Sequence, residues 1–287
     1  VPFYTRWDNV FCLKGTALES QMVKMVYDQL IAENVAIDKD DKAFKFSLLA
    51  KWMPSVNTSS PASRSLANWF IKQFNNFVPS DMPSIQFTPK AYRKILSKIR
   101  ARINVLERSL CAGKWSEVDY EHVPSKANLR YAHAFSTHDP LRRDKYLAAL
   151  SNGEAKINSA ACFPYDIVHA YLKDWSYYAS DEGEQEKPEL EAMWASLPDY
   201  VKKQGSSTLV VADSSGSMES PLHDSTATAM DVSMSLAFYF SQRCSGPYKD
   251  KFISFSNSPQ FIDLSNAPKL HQKIQVFREN ATCSNTD

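Results

Sequence analysis

The sequence is poor in several features that mark common classes of protein. It has only seven glycines and five cysteines in 287 residues, and the cysteines are scattered without a CxxC pair. We therefore expect no disulfide framework, no zinc site and no glycine-rich phosphate loop. The 33 basic and 32 acidic residues nearly cancel, giving a formal charge of +1. Electrostatic recognition, if present, must come from a local cluster of charge.

Long apolar runs are also missing. No stretch of about 18 apolar residues could span a membrane, and the first residues, VPFYTRWDNVF, lack the plan of a signal peptide. We read the cysteines as reduced thiols and expect a soluble, cytoplasmic protein without a membrane partner. Because the chain begins with valine, we also expect residues upstream of it.

The first two thirds of the sequence predict helices. From residue 16 to about 198, apolar residues recur at spacings of three and four, while alternating strand patterns are nearly absent. The clearest helix is predicted over residues 88–113, with Thr88 as its cap and Gly113 as its end. Short turns between helices, such as the one at Asp139, favour a stacked α-solenoid.

The pattern changes after residue 206. An apolar strand over residues 208–212 precedes a helix over 225–244 and two further strands, over 251–256 and 260–264. A strand, a helix and a second strand predict a βαβ unit with a parallel pair of strands. We therefore expect two domains, one helical over residues 1–198 and one α/β over residues 206–287.

Three oxygen-bearing side chains follow the first predicted strand. In open α/β sheets ligands bind beyond the carboxyl ends of strands, which is where Asp213, Ser215 and Ser217 lie. One carboxylate and two hydroxyls suit a hard divalent cation, Mg²⁺ first, with Mn²⁺ or Ca²⁺ as alternatives. The same residues could instead cap the next helix. An aspartyl-nucleophile phosphatase fits less well, because residue 215 is serine and no second carboxylate can act as the acid.

The segment DSSGSM resembles the DxSxS signature of the metal-ion-dependent adhesion site in von Willebrand factor A domains. This resemblance implies that Asp213, Ser215 and Ser217 bind the ion, together with a threonine from a second loop. Thr286 in the segment CSNTD is the candidate for that threonine. The resemblance also implies that a protein partner offers a carboxylate to the ion. Since such domains have six strands, we expect the domain to be truncated at Asp287.

The helical part carries a second resemblance. The blocks LLAKWMPS, AFSTHDPLRRDKYL and AKINSAACFPYDIV, followed by this A domain, resemble an uncharacterised TROVE-like group of plants, fungi and viruses. That group is related to the Ro autoantigen family, whose TROVE module of HEAT-like repeats binds RNA. The resemblance implies an all-α HEAT-like domain followed by an α/β, Rossmann-like von Willebrand factor A domain.

The local charge of the sequence also favours RNA binding. Residues 86–130 contain ten basic and four acidic side chains, a local excess of six positive charges. Such a face can neutralise phosphates, while Tyr92, Trp115, Tyr120 and Tyr131 could stack on bases. The alternative is a solvated basic face with aromatic residues in the core. The predicted RNA-binding residues are Lys90, Arg93, Lys94, Lys98, Arg100, Arg102, Lys126, Arg142 and Arg143.

These patterns favour a non-enzymatic RNA-binding scaffold whose divalent-cation site recognises a protein partner. The partner RNA would be structured or single-stranded. The alternative is a metal-dependent protein-interaction module that binds no RNA. An enzyme is not expected, because the sequence shows no GxSxG motif and no evident pair of nucleophile and base.

Overall fold

The computed structural model describes residues 6–76, 86–172, 186–201, 208–222 and 225–280. The chain divides into two compact units, residues 1–114 and residues 115–287. A mostly helical region is followed by a small mixed sheet, which confirms the predicted helical and α/β content. The domain boundary predicted between residues 198 and 206 stays a prediction. No helix in these ranges is both long enough and apolar enough to cross a membrane.

The first unit is helical, and its helix starts follow the capping residues. The Ser60 hydroxyl accepts the N–H of Ser63 at 3.3 Å, and the Thr88 hydroxyl accepts the N–H of Ala91 at 3.1 Å. Both satisfy N–H groups that the first turn of a helix leaves without a partner. The helices are α1 (Glu19–Asp38), α2 (Leu49–Trp52), α3 (Pro61–Asn76), α4 (Pro89–Arg102) and α5 (Leu106–Cys111).

The single helix predicted over residues 88–113 is two helices. Asn104 has a φ of 48°, in the left-handed region, and this residue separates α4 from α5. Asparagine tolerates that conformation better than most residues, so a helix can end there without glycine. Gly113 follows α5 with a φ of 67°, where its missing Cβ avoids strain.

An aromatic core holds the first unit together. Phe70 and Phe74 of α3 are completely buried, and Phe74 packs against Phe87 with ring centroids 5.1 Å apart. Tyr27 of α1 contacts both Phe74 and Phe87. Buried apolar side chains of α4, among them Ile99, complete this cluster, in agreement with the three- and four-residue spacing of apolar residues.

Among the described residues, the second unit has four α-helices ahead of its sheet. The break predicted near Pro140 is confirmed, because α6 ends at His138 and α7 begins at Pro140. Gly153, with a φ of 74°, lies just after α7. The four helices are α6 (Ser125–His138), α7 (Pro140–Ser151), α8 (Pro164–Leu172) and α9 (Pro188–Ala195).

A three-stranded sheet follows these helices in the second unit. The central strand β2 (Lys251–Phe255) pairs in parallel with β1 (Val210–Asp213) and antiparallel with β3 (Gln260–Asp263). Helix α10 (Ala229–Arg243) connects β1 to β2, which confirms the predicted βαβ unit. The register places Asp213 beside Phe255, so Asp213 ends the parallel pair at its carboxyl edge.

The two faces of the sheet differ in burial. On one face, Phe252 packs against Phe238 of α10 and Phe277 of α11 (Leu270–Asn280). On the other face, Val211 and Phe261 are each 58% exposed. Because side chains alternate along a strand, Asp213 lies on the same open face as Val211.

Candidate functional sites

The first unit contains a basic cleft of about 520 Å³. It lies where α4 meets the segment after α2 and the helix α5. Five of its eleven lining residues are basic and none is acidic, so the cleft carries a local excess of positive charge. The lining residues are Ser55, Val56, Asn57, Lys90, Tyr92, Arg93, Lys94, Leu96, Ser97, Arg100 and Arg108.

Two side chains of α4 attach the helix to the segment after α2. The buried hydroxyl of Tyr92 donates to the carbonyl of Pro54 at 2.8 Å, and burial raises the pKa of this phenol. Arg100 donates from Nε to the carbonyl of Ala50 at 2.7 Å and from Nη2 to that of Met53 at 2.8 Å. Burial lowers the pKa of Arg100 from its ordinary value. These bonds fix the floor of the cleft.

Four cations of the cleft remain open to solvent. Lys90, Arg93 and Lys94 of α4 and Arg108 of α5 are all exposed. Within the described parts of the chain, none of the four forms an ion pair. Three of them are among the predicted RNA-binding residues, whereas Arg108 was not predicted to bind RNA. Its proximity depends on the break at Asn104, which the helical periodicity does not reveal.

The other predicted cations of the first unit have protein partners. Lys98 forms an ion pair with Asp38 and donates to Asn34 at 3.3 Å. Arg102 is exposed, with its guanidinium 5.1 Å from the ring centroid of Phe46. Lys98 and Arg102 do not line the cleft, and Arg100 lines it but is held by backbone carbonyls.

Two predicted RNA-binding residues of the second unit are engaged with neighbouring groups. The ammonium group of Lys126 lies 2.9 Å from a carboxylate oxygen of Asp166 and over the ring of Phe163. Arg142 donates to the carboxylate of Asp139 at 2.9 Å and to the carbonyl of Val118 at 2.7 Å. Both cations remain partly exposed, but a phosphate would compete with these carboxylates.

Arg143 is placed differently from the sequence-based expectation. Its side chain is 0% exposed, and its guanidinium lies 5.3 to 5.5 Å from the ring centroids of Tyr120, Phe135 and Tyr146. The nearest carboxylate oxygen, on Glu189, is 3.8 Å away. Arg143 therefore cannot reach a phosphate in this structure, because aromatic side chains enclose it.

The aromatic residues predicted to stack on bases are mostly in the interior. Tyr92 and Tyr120 are buried, and Trp115 stacks on His138 with ring centroids 4.4 Å apart. Tyr131 is half-buried and contacts Phe135. The buried faces of Tyr92 and Tyr120 support the alternative considered above, in which these aromatics belong to the core.

The DSSGS loop brings its oxygen atoms together at the carboxyl edge of β1. The carboxylate Oδ1 of Asp213 accepts the N–H of Ser215 at 2.9 Å, and the hydroxyls of Ser215 and Ser217 lie 3.2 Å apart. Hydrogen bonds from the side chain and backbone of Ser215 lower the pKa of Asp213, which favours its charged form. The Ser233 hydroxyl of α10 donates to the carbonyl of Asp213 at 2.7 Å and fixes the loop to the helix.

This donor set fits a hard divalent cation only in part. One carboxylate and two hydroxyls suit Mg²⁺ when water or a partner supplies the remaining oxygens. The fourth predicted ligand, Thr286, lies outside the described residues. In the described ranges, no group of three or more histidine, cysteine, aspartate or glutamate side chains is placed to hold a metal. Any ion here would depend on serine hydroxyls.

The sequence analysis did not predict a third cluster of polar side chains, which lies in the second unit. His169 of α8 lies with Nδ1 2.8 Å from Oδ2 of Asp231 and with Nε2 3.0 Å from the hydroxyl of Thr226. Asp231 is on α10, and Thr226 lies in the loop before that helix. No short motif connects residues 169, 226 and 231, so only the packing of α8 against α10 brings them together.

Comparison with known proteins identifies relatives of this chain. An uncharacterized protein of Acanthamoeba polyphaga mimivirus is 26% identical over 279 residues, which cover 90% of this chain and 43% of that protein. The chain thus spans less than half the length of this relative. No solved structure matches. A family model described as Domain of unknown function (DUF7788) matches residues 207–287. A second family model, described as Domain of unknown function (DUF2828), matches residues 16–207, which is more than half of the chain. The chain therefore belongs to the DUF2828 family.

Proposed function

We propose that this chain is a scaffold that binds single-stranded RNA in the basic cleft of its first unit. The observation that carries the proposal is the composition of the cleft, which has five basic and no acidic lining residues in about 520 Å³. In a protein with a formal charge of only +1, this concentration of positive charge is local. A polyanion is the class of ligand that such a surface attracts most strongly.

The geometry of the cleft favours a flexible strand over a duplex. Exposed Arg93, Lys94 and Arg108 can each meet a phosphate, and every contact releases counterions from the nucleic acid. The hydroxyl of Ser97 and the amide of Asn57 also line the cleft and offer hydrogen bonds to ribose 2′-hydroxyls or to base edges. A concave site of this size accommodates splayed nucleotides rather than a helix.

The resemblance to TROVE-like proteins supports the same proposal. The blocks LLAKWMPS and AFSTHDPLRRDKYL lie on α2 and on α6 and α7, in helical regions that we propose to be HEAT-like. In the Ro autoantigen family, to which that group is related, the TROVE module binds RNA. In our proposal the contacts come from the cleft, and the engaged cations Lys98, Lys126 and Arg142 contribute less.

A binding experiment with matched variants tests this proposal. Fluorescence anisotropy of a labelled single-stranded RNA is measured with the wild type and with the triple variant Arg93→Gln, Lys94→Gln and Arg108→Gln. The control is the triple variant Lys39→Gln, Lys42→Gln and Lys72→Gln, which removes the same charge from exposed sites of the first unit outside the cleft. We expect the cleft variant to lose affinity at least tenfold more than the control. Equal losses would exclude the cleft as the binding site.

A second function is favoured by the DSSGS loop. In the second unit, which we propose to contain part of a von Willebrand factor A domain, Asp213, Ser215 and Ser217 would hold Mg²⁺. The 3.2 Å separation of the two serine hydroxyls supports this assignment, with Thr286 as a further ligand. The open position of the ion would accept a carboxylate from a protein partner, and this metal-dependent module could act without RNA binding.

A further inference from the structure

Three side chains of the second unit form a hydrogen-bonded series of hydroxyl, imidazole and carboxylate. The Thr226 hydroxyl lies 3.0 Å from Nε2 of His169, and Nδ1 of His169 lies 2.8 Å from Oδ2 of Asp231. When Nδ1–H donates a hydrogen bond to the carboxylate, the neutral ring has a lone pair at Nε2 that faces the hydroxyl. This is the geometry in which a histidine can remove a proton from an alcohol.

The surrounding structure holds the series in place. Asp231 is almost fully buried, and its Oδ2 also accepts the N–H of Thr228 at 2.8 Å, so the carboxylate cannot rotate freely. Next to Thr226, the carbonyl of Ala227 accepts the N–H of Leu222 at 2.9 Å. The carboxylate that orients the base and the residue after the hydroxyl are therefore held by separate hydrogen bonds.

The same surroundings leave the hydroxyl accessible. Thr226 is exposed, and the side chain of His169 is 22% exposed, so a small molecule can approach both groups from solvent. Thr226 lies three residues before Ala229, the first residue of α10. The partial positive charge at that helix end favours negative charge on an oxygen nearby.

We propose that Thr226 is a nucleophile toward small activated acyl esters, with His169 as its general base and Asp231 as a positioning residue. This activity goes beyond RNA binding and does not depend on the cleft. It also differs from the sequence-based expectation of a non-enzymatic protein, which rested on the absence of a recognisable pair of nucleophile and base.

The reaction balances in two steps with ester and water as the only reactants. The Thr226 oxygen forms a bond to the acyl carbon, its proton passes to Nε2 of His169, and the leaving alcohol or phenol takes that proton as its bond to carbon breaks. Water then attacks the acyl carbon on Thr226 while His169 accepts a proton from the water. His169 passes this proton to the Thr226 oxygen as its bond to the acyl carbon breaks, which releases the carboxylic acid and restores the hydroxyl.

The test uses p-nitrophenyl acetate with the complete 287-residue chain. Release of p-nitrophenol is followed over time, and mass spectrometry of peptides locates any acetyl group. We expect acetylation at Thr226, which Thr226→Val should abolish and which His169→Gln should slow by about a hundredfold or more. Asp231→Asn should lower kcat with little change in KM, because it changes the orientation of the base and not the contact with the ester.

Matched controls separate this mechanism from ordinary surface reactivity. His122 forms a similar exposed pair with Asp119 at 2.9 Å, and Thr137 is an exposed threonine whose hydroxyl donates to its own helix. His122→Gln and Thr137→Val should leave the rate unchanged. Acetylation confined to lysines, or acetylation of Thr226 that persists unchanged in His169→Gln, would overturn the proposal. Thermal unfolding of each variant shows whether a lost rate reflects a lost fold.

Discussion

Asp213 and Asp263 form the same turn at the ends of strands β1 and β3. In each, the carboxylate Oδ1 accepts the N–H of the serine two residues later, Ser215 at 2.9 Å and Ser265 at 2.8 Å. Hydrogen bonds from the side chains and the backbone of these serines lower the pKa of both aspartates. An Asp-x-Ser turn is therefore not specific to a metal site in this protein. The second hydroxyl, that of Ser217, distinguishes the DSSGS loop.

This pair of turns provides a matched test of the metal proposal. We expect Mg²⁺ or Mn²⁺ to raise the thermal unfolding temperature of the wild type and of Asp263→Asn, but not that of Asp213→Asn. An ion that binds the folded state at a hundred times its dissociation constant stabilises it by about 2.7 kcal/mol. An equal response of Asp213→Asn and the wild type, measured by differential scanning fluorimetry, would leave Asp213 as a turn residue only.

The stability of the second unit should depend on the charge of Glu191. Burial alone would raise the pKa of Glu191, but the backbone N–H groups of His271 and Leu270 and the side chains of His271 and Tyr171 lower it below its ordinary value near 4.5. A carboxyl with a lowered pKa in the folded state stabilises the fold above its unfolded pKa. That contribution is lost as the pH falls through the folded pKa.

Glu191→Gln tests this linkage. At pH 7 the variant should be less stable by about 1 to 3 kcal/mol, because it weakens charge-assisted hydrogen bonds at the start of α11. Below pH 4.5 the difference between the two proteins should shrink as the wild-type carboxylate takes up a proton. Denaturant unfolding between pH 7 and pH values below 4.5 measures the difference in free energy of unfolding between the two proteins. A difference that does not change with pH would contradict the linkage.

Thr228 and Thr16 should differ in how much their hydroxyls stabilise the helix that follows each of them. Thr228 accepts the N–H of Asp231 at 3.1 Å and Asp231 accepts the N–H of Thr228, so the two form a capping box at the start of α10. Thr228→Ala should lower the free energy of unfolding by about 1 kcal/mol. Thr16→Ala should change it by less than about 0.5 kcal/mol, since, among the described residues, the Thr16 hydroxyl bonds only exposed backbone groups ahead of α1, the N–H of Leu18 at 3.2 Å and the carbonyl of Leu13 at 2.7 Å. A loss below about 0.5 kcal/mol in both variants, measured by denaturant unfolding, would show that the capping box contributes nothing.

Arg143 should contribute little to RNA binding and little to stability through hydrogen bonds. Among the described residues, its three guanidinium nitrogens have no hydrogen-bond partner. We expect Arg143→Met to leave RNA affinity unchanged, because the guanidinium is enclosed, and to lower the free energy of unfolding less than Arg143→Ala does, because methionine fills a similar volume. Arg143→Ala should lose about 2 to 4 kcal/mol, since it leaves a cavity among aromatic rings. A large loss of RNA affinity in a well-folded Arg143→Met variant would contradict this.

Local patterns in the sequence predict much of this fold. The cap at Thr88, the break at Pro140 and the βαβ unit all follow from short-range rules of helix capping and strand patterning. The break at Asn104 does not, because asparagine is compatible with a helix until tertiary packing selects the left-handed conformation. One consequence is that Arg108 joins the cleft.

The sites were predictable only where they are local in sequence. Asp213, Ser215 and Ser217 follow one strand, and alternation alone indicates that they meet. Which cations are open depends on neighbours far along the chain, such as Asp38 for Lys98 and the aromatic rings around Arg143. Similarly, His169 and Asp231 are in contact but lie 62 residues apart in the sequence, so no short motif could have predicted their contact.

The salt dependence of RNA binding tests the central claim most directly. For a single strand, the slope of log affinity against log salt is about −0.7 for each phosphate neutralised, so four open cations predict a wild-type slope of roughly −3. The Arg93→Gln, Lys94→Gln and Arg108→Gln variant should have a slope near −1, whereas the Lys39→Gln, Lys42→Gln and Lys72→Gln control should keep the wild-type slope. Identical slopes for the two triple variants would contradict binding in the cleft.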